Sequence, residues 1–147
     1  MNIQYKRESF KDILEEMKPM FPLHYTEAEK SSIPLDINFD QYILQEKNGY
    51  LHLFTARNNK ELIGYILGFI RPHSHNKVLT YFNDCYYVKN KYRNNGIGTE
   101  FFKQQENDLN KLNVKRIIQF TKLHNSHQKL FESLGYTLSD IVVTKIL

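Results

Sequence analysis

A turn that carries a basic residue and two glycines lies between residues 88 and 99, which read VKNKYRNNGIGT. A strand-like run precedes it and a helix-like run follows. Gly96 and Gly98 let the backbone approach an anion without an intervening Cβ, and the free N–H groups of a helix start attract negative charge. Arg93 adds a positive charge and fixes the turn. The other short polar residues of this turn are Asn94, Asn95 and Thr99.

The turn predicts a phosphate-binding site, but it differs from two common phosphate motifs. No Lys-Ser or Lys-Thr pair follows the glycines, as a P-loop requires, and the G-x-G-x-x-G dinucleotide pattern is absent. A glycine turn that only packs a helix against a strand would contain the same residues. Both interpretations stay open on these residues alone.

Two histidines and one cysteine are further candidates for chemistry. His73 and His75 would share a face if the segment RPHSHNK were extended. They lack a third ligand at a suitable spacing, so no metal is expected, and substrate contact, a proton shuttle or a solvated loop remain. Alternation places Cys85 on the opposite face of its strand from Asp84, where a small buried thiol is expected.

Two helices are predicted in the first third of the chain. The first begins at Phe10 after the N-cap candidate Ser9, and Pro19 and Pro22 are expected to end it. The second spans about Phe39 to Lys47, between the cap candidate Asn38 and an Asn-Gly pair.

Strands and two later helices complete the predicted fold. The strand-like runs are IQYKR, YLHLFTAR, ELIGYILGFI (with Gly64 and Gly68 as possible bulges), VLTYFNDCYYV, VKRIIQF and a closing DIVVTKIL. One helix follows the glycine turn to about Leu112, and a shorter one ends at Gly135. The order β-α-α-β-β-β-α-β-α-β predicts an α/β (α+β) fold with a mixed, mostly antiparallel sheet of about six to seven strands and about four helices.

RNNGIG resembles the R/Q-x-x-G-x-G/A signature of the GNAT (Gcn5-related N-acetyltransferase) superfamily. Val88 stands five residues before Arg93, where that family has the end of its central strand, and the predicted element order is also that of the family. HNSHQKLFESLGY is similar to the later family motif, a short helix ending in Leu-Gly-aromatic. TARNNKELIGYILGFIRPHSH looks like a subgroup from phage and bacterial genomes.

The resemblance implies that acetyl-CoA is the co-substrate. Its pyrophosphate would lie on the turn formed by Arg93, Asn94, Asn95, Gly96, Ile97, Gly98 and Thr99. Its pantetheine arm would pair with the strand end at Tyr86, Tyr87 and Val88, in a slot where this strand splays from residues 114–120. In the later motif His124 stands where the family usually has an asparagine, with Asn125 adjacent, and we expect Asn125 and Phe131 to contribute to the same site.

The resemblance also implies a general base on the central strand. Alternation places Phe82, Asp84, Tyr86 and Val88 on one face, and Asp84 is the carboxylate there. We therefore expect Asp84 to be the base, with an aspartate that only stabilises a strand bulge as the alternative. The tyrosine that serves the family as general acid is replaced by Phe131, so Tyr86 or water is expected to protonate the thiolate.

Composition sets the remaining expectations. The chain has 147 residues, 41% hydrophobic, which predicts a single domain spanning residues 1–147. No apolar run reaches the roughly 18 residues of a membrane helix. The lone cysteine is typical of a reduced, cytoplasmic protein. The net charge of +4 and pI of about 9.0 favour anionic partners.

The acceptor is expected to be a primary amine on a small molecule or a protein. Residues of about 17–44 would bind it, together with His73 and His75. A non-catalytic acyl-CoA-binding or interaction protein is one alternative, and an enzyme that modifies nucleic acid or tRNA is another. A homodimer through the C-terminal strand or a sheet edge is also expected.

Overall fold

The computed structural model describes residues 1–147 and contains one five-stranded sheet in the order β1-β2-β3-β4-β5. The strands are β1 (Ile3–Arg7), β2 (Leu51–Asn58), β3 (Glu61–Pro72), β4 (Leu79–Val88) and β5 (Arg116–Ile118). Neighbouring strands are antiparallel except β4 and β5, which run parallel. The predicted mixed, mostly antiparallel α/β sheet is therefore confirmed, with five strands rather than six or seven.

Five α-helices accompany the sheet: α1 (Phe10–Met17), α2 (Phe21–Ala28), α3 (Phe39–Lys47), α4 (Ile97–Lys111) and α5 (Gln128–Ser133). The predicted caps form, because the Ser9 side chain accepts from the Asp12 N–H and the Asn38 side chain from the Gln41 N–H. A 3-10 turn at Lys18–Met20 joins α1 to α2. Counted as one helical segment, α1 and α2 bring the number of helices to the expected four.

Helix α1 ends at Met17, just before Pro19, as expected, but the two prolines do not end helical structure in this region. Each proline lies at the first or second position of a new helical segment, where its missing N–H has no partner to lose. The chain therefore continues as α2, which the sequence did not predict. The C-terminal strand DIVVTKIL also does not form, and its apolar side chains are exposed, for example Ile141 at 84% and Val143 at 88%.

Helices α1, α2 and α3 cover one face of the sheet. The core on that face includes Phe10 and Met17 of α1, Tyr65 and Leu67 of β3, and Tyr87 of β4. The opposite face packs against α4 and α5, and its core residues are Phe54, Ile66, Phe101, Phe102 and Phe131. Strand β4 is therefore covered by α1, α2 and α3 on one face of the sheet and by α4 and α5 on the other.

Two bulges interrupt the antiparallel ladder beside the glycines that the sequence singles out. Between β2 and β3, Ile63 is the extra residue next to Gly64. Between β3 and β4, Leu67 pairs with Cys85 and Gly68 with Asn83, so Asp84 is the extra residue. A bulge changes which face the following side chains point to, and it bends the strand.

Candidate active site

The ladder between β4 and β5 stops halfway along β4. The last pair is Phe82 with Ile118, whereas β4 continues to Val88, so residues 83–88 have no partner on that side. The edge of β4 is therefore unpaired at Tyr86, Tyr87 and Val88, the strand end next to which the resemblance predicts a cofactor slot. The open edge of β4 leads directly into the glycine turn.

The glycine turn delivers free backbone N–H groups at the start of α4. Gly96 is the N-cap of this helix, and its backbone φ of 83° lies in the left-handed region that favours glycine. Asn94 is also in the left-handed region, with a φ of 62°. The N–H groups of Gly96, Gly98 and Thr99 have no hydrogen-bond partner in the chain. A Cβ built at Gly96 or Gly98 meets no atom within 4 Å, so the space in front of the turn is open. These features fit an anion on the helix N-terminus.

Arg93 fixes the turn, as predicted from the sequence. Its Nε donates to the Val88 carbonyl oxygen at 2.7 Å, and its Nη2 donates to both carboxylate oxygens of Glu27 at 3.0 and 2.8 Å. The guanidinium also lies over the Tyr87 ring, 5.2 Å from its centre. Arg93 thus connects the end of β4 to α2, and Glu27 pairs its positive charge.

Asp84 faces a cavity of about 200 Å³ between the sheet and helices α1 to α3. Its Oδ2 accepts a hydrogen bond from the Tyr42 hydroxyl at 2.7 Å. Burial and the Asp84 charge raise the pKa of Tyr42, which therefore stays protonated as a donor. The bulge thus holds a hydrogen-bonded carboxylate, and it does so at the wall of a cavity.

The expectation that Asp84 shares a face with Tyr86 and Val88, opposite Cys85, is wrong. Asp84 and Cys85 both line the cavity, whereas Tyr86 and Val88 pack on the α4 and α5 side. The bulge at Asp84 shifts the alternation by one residue and explains the change. Burial, and then Asp84, raises the pKa of the Cys85 thiol, which keeps it protonated.

His24 of α2 also lines the cavity. It lies within the region of about residues 17–44 that was expected to bind the acceptor, but no individual role was predicted for it. Its Nδ1 lies 2.7 Å from the Tyr65 Oη, and its ring stacks on Tyr87 at 5.3 Å. Burial lowers the pKa of His24 to about 4, so the ring is neutral at pH 7. No local motif marks this residue, because its partners are far away in the sequence.

Tyr86 lies on the other face of β4 and contacts α5 and the residue before it. Its Oη lies 3.1 Å from Nδ1 of His127, the residue before α5, and its ring packs edge-on against Phe131 at 5.8 Å. Burial lowers the pKa of His127 and raises that of Tyr86, so both are neutral at pH 7. Phe131 is buried behind Tyr86, and Asn125 lies in the exposed loop after β5.

His73 and His75 lie at the turn between β3 and β4, beyond the terminal pair of Pro72 and Leu79. They contact each other, because His73 Nδ1 accepts from the His75 N–H at 3.2 Å, but neither lines the cavity. No cluster of three or more His, Cys, Asp or Glu residues could hold a metal ion. None of the helices has the length and apolar character needed to cross a bilayer.

Comparison with protein families identifies this arrangement. The model of the Acetyltransferase (GNAT) family matches residues 10–136, which is most of the chain. The chain belongs to the GNAT acetyltransferase family. The unpaired edge of β4, the glycine turn and the N-terminus of α4 all lie within the matched region. Comparison with curated proteins finds no match.

Solved GNAT-fold structures superpose on nearly the whole chain. Ribosomal-protein-alanine N-acetyltransferase from Brucella melitensis biovar Abortus 2308 has a TM-score of 0.77 at 15% identity and covers 100% of both chains. A protein described as a predicted acetyltransferase, with acetyl-CoA, from Clostridium acetobutylicum has a TM-score of 0.70 at 18% identity, and the alignment covers 99% of this chain and 96% of that chain. An aminoglycoside acetyltransferase from an uncultured soil metagenomic sample, in complex with sisomicin, has a TM-score of 0.73 at 14% identity. The alignment covers 99% of this chain and 95% of that chain. At these identities the likeness concerns the fold.

Proposed function

We propose that this GNAT protein transfers the acetyl group of acetyl-CoA to a primary amine within a ternary complex. The observation that carries the proposal is the unpaired edge of β4 at residues 83–88, which leads into the free N–H groups of the α4 N-terminus. A solved relative of the same fold contains acetyl-CoA, and two others are named for the amine-bearing substrates they acetylate. Acetyl-CoA supplies the acetyl group as an activated thioester.

The chain's own groups suit the binding of this co-substrate. The N–H groups of Gly96, Gly98 and Thr99 have no partner in the chain and would bind the pyrophosphate. The backbone of Tyr86, Tyr87 and Val88 lies at the unpaired edge of β4 and would pair with the pantetheine arm. A backbone N–H in this region would polarise the thioester carbonyl.

Proton transfer is assigned to two residues on opposite faces of β4. On the cavity side, Asp84 takes the proton that the amine loses as the new C–N bond forms, with Tyr42 holding its carboxylate in place. On the other side, the Tyr86 hydroxyl gives a proton to the sulfur as the C–S bond breaks, and His127 is its hydrogen-bond partner. A co-substrate lying in the plane of the sheet, between these faces, would be accessible to both.

Calorimetry with acetyl-CoA, combined with release of free thiol from acetyl-CoA in the presence of an amine panel, tests the proposal. We expect binding and amine-dependent thiol release. Gly98→Ala is the control, because the R/Q-x-x-G-x-G/A signature allows alanine at this position. Gly98→Glu is the test variant, because the space around Gly98 is open to a side chain and its carboxylate would repel the pyrophosphate. Gly98→Glu should fold normally and bind acetyl-CoA at least about tenfold more weakly. Binding without turnover on any amine would favour a non-catalytic acyl-CoA-binding protein, and no binding would exclude both functions.

A further inference from the structure

The cavity beside Asp84 is small and mostly apolar. Its volume is about 200 Å³, and 10 of its 14 lining residues are hydrophobic. Pockets for drug-sized ligands usually span roughly 300 to 1,000 Å³. The cavity therefore accommodates a compact molecule or a single side group, and not several linked rings.

Five of the 14 residues that line the cavity are phenylalanines or tyrosines, from three helices and one strand: Phe10, Phe21, Tyr25, Tyr42 and Tyr65. They brace one another, since Phe10 stacks on Tyr42 at 5.2 Å and Phe21 meets the Tyr65 ring edge-on at 5.8 Å. Such rings offer a preformed surface to a flat or branched apolar group, and their faces also attract a cation.

The cavity wall contains a single carboxylate that is free to bind an ammonium group. The Asp84 carboxylate accepts from the Tyr42 hydroxyl and from the adjacent Cys85 thiol, and because a carboxylate has about four acceptor positions it can still bind an ammonium group. Glu29 also lines the cavity, but its Oε1 accepts the N–H groups of Lys30 and Ser31, and Lys122 on the cavity wall attracts its charge. Binding of a polycationic amine requires several negative charges, whereas this cavity offers one available carboxylate and therefore suits an amine with one positive charge.

We propose that the acceptor is a small monoamine with an aromatic or branched apolar body. This inference rests on the proposed acetyl transfer. The ammonium group binds at Asp84, and the apolar body lies among the aromatic rings that α1, α2 and β3 contribute to the cavity. The bound ammonium group first releases one proton to solvent, which leaves a neutral amine whose nitrogen is adjacent to the open edge of β4. The amine then passes its second proton to Asp84 as the C–N bond forms. The product is an N-acetylated amide without charge.

Steady-state thiol release with acetyl-CoA compares the amines directly. We use 2-phenylethylamine as the probe, ethylamine as a matched amine without the ring, and spermidine, kanamycin and an alanine-initiated peptide as competitors. We expect kcat/KM for 2-phenylethylamine to exceed that for each of the others by at least about tenfold, the range by which apolar pockets discriminate. A higher kcat/KM for any of the other amines would overturn the inference while leaving acetyl transfer intact.

A cavity-filling variant tests the location of the apolar body. Ala28 is the last residue of α2 and lines the cavity, so Ala28→Leu reduces its volume without touching Asp84 or β4. We expect kcat/KM for 2-phenylethylamine to fall about tenfold and that for ethylamine to stay within about threefold. Thr26→Leu, on the exposed side of the same helix, is the control and should change neither value. Equal effects of Ala28→Leu on both amines would contradict the assignment.

Calorimetry separates failure of this inference from failure of the proposed function. Binding of 2-phenylethylamine to the protein with CoA, weakened by Ala28→Leu but without turnover, would retain the amine class and exclude acetyl transfer. Turnover on the other amines alone would retain acetyl transfer and exclude the amine class. Neither binding nor turnover would exclude both.

Discussion

Asp84 gains its position from the bulge in β4 and its orientation from Tyr42. As the extra residue of the bulge, it reaches the cavity wall, where an ordinary strand position would direct it to the other face. The hydroxyl of Tyr42 holds one carboxylate oxygen at 2.7 Å. At the scale of single residues, the site therefore depends on a local backbone irregularity and a partner 42 positions away in the sequence.

We expect Asp84→Asn to lower kcat by at least about 100-fold, the lower range for loss of a general base, with the KM for acetyl-CoA unchanged. The amide keeps the shape of the side chain and can still accept from Tyr42, but it cannot take the amine proton. Tyr42→Phe is the comparison, and it should lower kcat less because the carboxylate remains. A rate for Asp84→Asn within about threefold of the parent would show that Asp84 only stabilises the bulge.

Tyr86→Phe removes the proposed proton donor and keeps the ring that packs on Phe131. We expect a decrease in kcat of about tenfold, smaller than that for Asp84→Asn, because a CoA thiolate leaves readily without full protonation. Measured kcat for parent and variant on the same amine tests this. His127→Phe should give a similar decrease if the two residues act together. An unchanged kcat for Tyr86→Phe would assign the proton to water.

At the scale of elements, β3 and β4 approach unusually closely beside the bulge, and Gly68 permits it. A Cβ at Gly68 would lie within 3.0 Å of the Phe82 carbonyl oxygen and of the Tyr81 phenol. Neither atom is the free end of a flexible side chain, since Tyr81 is fully buried. The bulge that presents Asp84 therefore requires glycine on the neighbouring strand.

We expect Gly68→Ala to lower the free energy of unfolding by about 2 to 3 kcal/mol, the usual cost of overpacking. Urea unfolding of parent and variant measures it. Gly98→Ala is the matched control, because its Cβ meets no atom and alanine favours the helix by about 1 kcal/mol, so its stability should be equal or higher. A Gly68→Ala protein as stable as the parent would show that the strands separate easily there.

The sequence predicts elements well where their boundaries are set locally. Helix α3 begins and ends where Asn38 and the Asn-Gly pair indicate, because these residues satisfy or end the helix by themselves. The face of Asp84, the Glu27 partner of Arg93 and the role of His24 were not predictable. Each depends on tertiary contact or on a bulge, which residue periodicity does not record.

At the scale of the whole molecule, residues 137–147 follow Tyr136 without forming a strand. Ile141, Val142 and Val143 are 84%, 67% and 88% exposed, and β5 is paired on one side only. Consecutive exposed β-branched residues and an open sheet edge each favour pairing with another chain. We propose that a second copy covers this segment in a symmetric dimer.

Light scattering during gel filtration tests the dimer. We expect twice the chain mass of 17.6 kDa for the parent and a single chain mass for the double variant Ile141→Asp and Val143→Asp. Ser139→Asp, just before the apolar run, is the control and should stay dimeric. A parent of single-chain mass would refute the dimer.

Acid should destabilise the folded protein through His24, because folding lowers the pKa of this ring from 6.5 to about 4. Between these two values the unfolded chain binds more protons than the folded chain, so the free energy of unfolding decreases as the pH falls. Protonation of His24 accounts for at most about 2 kcal/mol of the decrease in the free energy of unfolding between pH 7.5 and 5. His24→Gln keeps an acceptor for Tyr65 without titrating, so its unfolding free energy should decline less over that range. Urea unfolding at pH 7.5 and 5 compares the two proteins, and identical declines would mean that protonation of His24 does not oppose folding.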